Sequence, residues 1–321
     1  MSFVEARAQD LAPVTVACER QGHGEPLVLI HGLGHHRQAW RQVVPLLADD
    51  GQTITIDLPG FGHSPDLDPA VPRNLSTATA WLEAVFTALG VDTPHVVGHS
   101  LGGLIAFRLG QAGLARSVTA LAPAGFWTET ERRYAYAVPT AARQGVRFLP
   151  EATIDRLAGT AAGRTALIGT LYGRFESCDP KAAAAALRAL RDSAAFTATL
   201  RAGRERGLFN GDIPDVPVSI AWGTNDHFLP PRQAARVKLM IPAARLVPLS
   251  GCGHVPMNDA PDLVARVILQ ATSTPADHPR PSAPTRGKTS TEGSPAGGRA
   301  VRSDAACRRQ PWSGSRTPTT G

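Results

Sequence analysis

The sequence predicts an α/β fold, a mostly parallel sheet flanked by helices with an all-helical insertion late in the strand order. Three observations carry this. Short apolar or β-branched runs recur along the 321 residues, each ending in Gly, Pro or Asp. Stretches with helical spacing separate most of them, as βαβ units require. Between Gly125 and Phe209 strand runs disappear, and an Ala- and Arg-rich helical pattern replaces them.

Seven runs read as strands: Val14 to Cys18, Leu27 to Ile30, Thr53 to Asp57, His95 to Gly98, Ser117 to Leu121, Val218 to Trp222 and Arg245 to Leu249. Helical spacing follows in Trp40, Val43, Val44 and Leu47, in Trp81, Leu82, Val85 and Leu89, and in Leu101, Leu104, Ile105 and Leu109. In the insertion, Asp179 and Pro180 stand as N-cap and first-turn residues before Lys181 to Leu190. Asp259 and Asp262 look like caps of a last helix. The expected domains are therefore an α/β core of residues 1–124 and 211–270, a helical insertion of residues 125–210, and a disordered basic tail of residues 271–321.

The tail is set apart by composition, since 28 of its 51 residues are Pro, Gly, Ser or Thr. It also holds eight basic residues against three acidic ones, which is +5 of the net +6. The rest of the chain, with 25 basic and 24 acidic residues, has no electrostatic footprint for nucleic acid or an anionic membrane. No run approaches the roughly 18 to 20 apolar residues of a membrane span, which excludes integral membrane function. Glu5 and Asp10 stand where a secretory leader needs positive charge and then an apolar run, and the four cysteines are far apart, so a cytoplasmic protein without a disulfide framework is expected.

Chemistry concentrates at the ends of the predicted strands. Gly98-His99-Ser100-Leu101-Gly102 fits G-x-S-x-G, the sharp strand-to-helix turn that exposes a serine hydroxyl. A serine is a poor nucleophile until a histidine takes its proton, and the histidine needs a carboxylate to fix its tautomer. His254, in a Gly-rich loop directly after the Arg245 strand, is the best base among ten histidines. Asp226, in Trp222-Gly223-Thr224-Asn225-Asp226, ends the preceding strand in the same way. A carboxylate after the Ser117 strand is the alternative, but Ala122-Pro123-Ala124-Gly125 offers none. Backbone N–H groups must hold the oxyanion that forms on a carbonyl; Leu101 supplies one and Leu33, in His31-Gly32-Leu33-Gly34, the second.

These segments resemble the α/β-hydrolase-fold family, in its serine-nucleophile form with a helical cap. The resemblance rests on HGLG, the DLPGFGHS segment from Asp57 to Ser64, GHSLGG, WGTND and GCGHVP, spread over residues 27 to 260. It implies a pocket at the carboxyl ends of the parallel strands, roofed by the insertion as a cap, and neither cofactor nor metal.

Other residues have plainer readings beside functional ones. His31, His99, Phe126, Trp127 and Tyr134 are candidates for lining a substrate pocket, although His31 also suits the ordering of the oxyanion loop. Within the insertion, Phe126, Trp127, Tyr134, Tyr136, Tyr172 and Phe175 could line an apolar pocket, but the insertion must also bury its own core, so at most half of them should face substrate. His35 and His36 point apart as neighbours and have no third ligand at metal-site spacing, so they read as a solvated loop. Cys252 reads as a small buried thiol.

The expected function is hydrolysis of a small ester, thioester or lactone, apolar in its acyl or alcohol part, through an acyl-enzyme on Ser100. Carbon–carbon bond hydrolysis, acyl transfer, perhydrolysis and a lyase reaction could use the same triad, and a ligand-binding receptor could retain it. The sequence leaves the oligomeric state and the substrate open.

Overall fold

The computed structural model of the protein describes residues 1–174, 178–204 and 208–273. An eight-stranded sheet runs in the order β1-β2-β4-β3-β5-β6-β7-β8. The strands are β1 (Ser2–Ala6), β2 (Val14–Gln21), β3 (Pro26–Ile30), β4 (Gln52–Ile56), β5 (His95–His99), β6 (Ser117–Leu121), β7 (Val218–Gly223) and β8 (Arg245–Leu249). β1 with β2 and β2 with β4 pair antiparallel, and every other neighbouring pair is parallel. All seven expected strands are present. The eighth, β1, was not foreseen: it is an edge strand whose Phe3 faces solvent and whose inward face consists of Val4 and Ala6 alone, too short an apolar pattern to stand out.

β5, β6 and β7 are buried along their whole length, as strands with helices on both faces must be. Alternation along β3 divides the core in two. Val28 and Ile30 join Ile54, Ile56, Trp81, Leu82 and Phe107 on one face, while Leu27 and Leu29 join Trp40, Leu121, Val264 and Ile268 on the other. The first face is covered by α1 (Leu75–Ala88) and α2 (Leu101–Gln111).

Trp40 to Leu47, expected as one helix, instead forms two 3-10 turns, Arg37–Trp40 and Val44–Leu46. Trp40, Val43 and Leu47 are still buried. Pro45 has no N–H to continue an α-helical ladder.

Among the described residues, five helices follow β6 before β7: α3 (Glu129–Val146), α4 (Glu151–Gly159), α5 (Ala161–Ile168), α6 (Pro180–Asp192) and α7 (Phe196–Ala202). Thr128 and Glu131 form a capping box that starts α3, and the Asp179 side chain caps α6 by accepting from the Lys181 N–H at 3.1 Å. The chain then closes with α8 (Arg232–Met240), α9 (Pro256–Asp259) and α10 (Pro261–Thr272). α10 runs two residues past the expected core boundary because Ala271 is buried. The expected disordered tail lies, from residue 274, outside the described residues. Among the described residues no helix is long and apolar enough to cross a membrane, and Cys18, Cys178 and Cys252 are free, buried thiols.

Candidate active site

Ser100 sits between β5 and α2 with φ 53° and ψ −112°. Non-glycine residues rarely hold such a conformation, at a cost of about 1–3 kcal/mol, unless the surroundings enforce it. Here they do. The Ser100 N–H donates to the Leu121 carbonyl at 2.9 Å, and its carbonyl accepts from Leu104 at 3.1 Å and Ala124 at 3.0 Å. The flanking glycines make the turn possible: a Cβ on Gly98 would run into the Gly102 carbonyl, and one on Gly102 into the Ile30 carbonyl.

His254 follows β8 and is buried. Its Nδ1–H donates to Asp226 Oδ2 at 2.9 Å. The other Asp226 oxygen, Oδ1, accepts from the Phe228 N–H at 3.0 Å and the Leu229 N–H at 2.7 Å, which fixes the carboxylate after β7. Thr224 N–H to Leu249 carbonyl (3.0 Å) and Asn225 N–H to Cys252 carbonyl (2.9 Å) tie the two loops together. With Nδ1 committed to the carboxylate, Nε2 is the nitrogen left to act as a base.

Asp259 was expected to cap a helix, but it lies at the end of α9 and organises the His254 loop instead. Its Oδ2 accepts from Gly253 N–H at 2.7 Å and Gly173 N–H at 2.9 Å, and its Oδ1 from Arg174 N–H at 3.1 Å. Burial raises its pKa, and these three N–H groups oppose that rise. Asp262 does lie in the first turn of α10.

A cavity of about 870 Å³ opens above the carboxyl ends of the central strands. Ser100, His254, Leu33 and Leu101 line it together. Leu101 is the first residue of α2, where an N–H has no partner within the helix. The Leu33 loop passes close by, since a Cβ on Gly32 would stand 3.1 Å from the Ser100 Cβ.

The expected lining residues divide. His99 and Trp127 line the cavity; His31, Phe126 and Tyr134 do not. His31 is buried and clamps two loops: its Nε2 accepts from the Leu58 N–H at 2.9 Å and its Nδ1–H donates to the Gly32 carbonyl at 2.7 Å. Burial pushes it down to about 4, so the ring is neutral. Phe126 is used up in an aromatic cluster with Phe107 and Phe209, each ring centroid 5.8 Å away. Tyr134 is 42% exposed. Phe175 lies outside the described residues.

His35, read as part of a solvated loop, lines the cavity, and burial pushes it down to about 3. His36 is only partly exposed, and burial lowers it too. The sequence cannot show this, because the covering wall comes from distant helices; Leu167 of α5, Leu187 and Leu190 of α6, and Tyr136 of α3 all line the same cavity. Cys252 is buried as expected, and burial pushes its thiol up to about 11. Among the described residues no group of three His, Cys, Asp or Glu side chains is placed to hold a metal ion.

The alpha/beta hydrolase family model matches residues 27–267. A pimeloyl-acyl-carrier-protein methyl ester esterase of Aromatoleum aromaticum is 30% identical over 261 residues, covering 75% of this chain and 96% of that protein. The epoxide hydrolase EphH of Mycobacterium tuberculosis is 31% identical over 209 residues, covering 63% of this chain and 96% of that protein. Among solved structures, a thermophilic esterase from Thermogutta terrifontis superposes with a TM-score of 0.66 at 20% identity, covering 84% of this chain and 97% of that one.

Proposed function

The chain belongs to the alpha/beta hydrolase family, and from that premise we propose that it is a serine hydrolase of small apolar esters, thioesters or lactones, with Ser100, His254 and Asp226 as its triad. One observation carries the reading. Ser100, on its strained turn, and His254, held through Nδ1 by Asp226 at 2.9 Å, face one cavity whose walls are mainly apolar.

The chemistry follows from that placement. His254 Nε2 takes the Ser100 proton as Oγ attacks the carbonyl, and Asp226 stabilises the imidazolium that forms. The N–H groups of Leu33 and Leu101 hold the oxyanion, each worth about 2.7–4 kcal/mol in such sites. His254 then gives the proton to the leaving group, an acyl-enzyme remains on Ser100, and water, activated by the same imidazole, releases the acid. The helices between β6 and β7 act as a cap that selects which acyl or alcohol part fits. An alkyl-enzyme route for epoxides needs a carboxylate nucleophile, and a serine stands at position 100.

The test is a serine-directed organophosphonate with a panel of esters and lactones of rising acyl length. Labelling should stop and turnover should fall to background in Ser100→Ala. Labelling that survives in that variant would remove Ser100 from the mechanism.

A further inference from the structure

Four residues of α2 line the cavity: Leu101, Leu104, Ile105 and Arg108. Their spacing, i, i+3, i+4 and i+7, puts them on one helix face. Three are apolar, as a face over an apolar cavity should be, and the fourth is a cation. At 1.5 Å per residue, the Arg108 backbone stands about 12 Å along the helix axis from Ser100.

Arg108 is held in place without being neutralised. One of its terminal nitrogens donates to Gln111 Oε1 at 2.8 Å. The Gln111 amide is itself oriented, since its Nε2 donates to the Asn210 carbonyl at 2.7 Å and the Asp212 carbonyl at 3.3 Å. A guanidinium has five N–H donors and no acceptor, and no carboxylate of the described residues pairs with this one. The other arginine of the described residues that lines the cavity, Arg73, is paired with Asp66. Among the described residues no aspartate or glutamate lines the cavity.

A half-buried, pre-oriented guanidinium on an apolar wall attracts an anion, and its planar fork can take both oxygens of a carboxylate. We propose that Arg108 binds a carboxylate of the substrate, so that the substrate class is an apolar ester with a free carboxylate remote from the scissile bond, such as the monoester of a dicarboxylic acid. This rests on the serine-hydrolase reading of the same cavity.

The experiment compares kcat/KM for monomethyl adipate, suberate and sebacate with the uncharged methyl esters of matching chain length and with methyl esters of matching ω-amino acids, in the wild type and in Arg108→Met. The wild type should prefer the carboxylate-ended ester and turn over the ammonium-ended one least. The carboxylate-to-neutral ratio should fall roughly 10- to 100-fold in Arg108→Met, the range expected for hydrogen bonds to a charged group, with the loss carried in KM. If the variant does not fold, the wild-type order across the three end groups still decides. Turnover of the uncharged esters with no preference for the carboxylate end, or a ratio unchanged in Arg108→Met, overturns the role of Arg108 and leaves the hydrolase reading standing. No turnover of any ester, with Ser100 unlabelled by organophosphonate, overturns both.

Discussion

His99 Nε2 lies 2.7 Å from the carbonyl oxygen of His254, so the residue before the candidate nucleophile grips the main chain of the candidate base. A carbonyl can only accept, which makes Nε2 the protonated nitrogen and Nδ1 a lone-pair acceptor. Burial holds His99 well below its ordinary range, so the ring stays neutral. Its Nδ1 has no hydrogen-bond partner among the described residues.

His99→Phe should therefore keep the ring volume but leave the His254 carbonyl unpaired. The expected cost is about 1–3 kcal/mol of stability, read by urea denaturation. kcat should fall as well, because the His254 backbone would no longer be tied to the Ser100 turn. A variant with unchanged stability and unchanged kcat would show that the contact carries no weight.

Asp226→Asn should preserve the fold and abolish most activity. The asparagine Oδ1 can still accept from Phe228 and Leu229, but its amide turns a donor toward His254 Nδ1 and favours the wrong tautomer. A drop of roughly 10⁴-fold in kcat is the scale for this exchange in a serine triad. Steady-state kinetics beside a melting curve separates the two effects; full activity would exclude Asp226 as the orienting acid.

The three positions of this arrangement were legible in the sequence because each sits in a loop directly after a strand, where short-range glycine patterns mark the turn. The positions that failed lie where a long-range contact decides. Phe126 and Trp127 are neighbours, yet one enters the Phe107 cluster and the other faces the cavity. His35 looks solvated until Leu190 and its neighbours are brought over it. Asp259 has helix-cap spacing, but a segment 85 and 86 residues earlier in the chain supplies two of its three partners.

Two histidines give the fold an acid-sensitive margin. His31, pushed down to about 4, and His35, pushed down to about 3, are neutral in the native state. In the unfolded chain each takes up a proton near pH 6.5. Between that pH and the native pKa the unfolded state binds more protons, so stability must fall as pH falls. Each ring contributes a loss of about 1.4 kcal/mol per pH unit within its window. Urea midpoints measured from pH 7 to pH 4 should decline steadily, and His35→Asn should decline less steeply than the wild type. A flat wild-type curve would mean that these rings are protonated in the native state.

Asp259 joins the segment after α5 to the loop of the candidate base. Its two oxygens accept the N–H groups of Gly173, Arg174 and Gly253, and Gly253 immediately precedes His254. Glycine is required on both sides of this contact, since a Cβ on either Gly173 or Gly253 would run into the backbone of the other segment. Asp259→Ala removes the acceptor for all three donors at once, at about 1–3 kcal/mol for each that stays buried and unpaired. The variant should melt at a lower temperature and lose kcat together, because the same carboxylate that closes the structure also fixes where His254 begins. Asp259→Asn keeps one acceptor oxygen and should fall between the two. Should Asp259→Ala lose stability while turnover at low temperature is untouched, the His254 loop must be held by Asp226 and His99 alone, and the role of Asp259 is confined to packing.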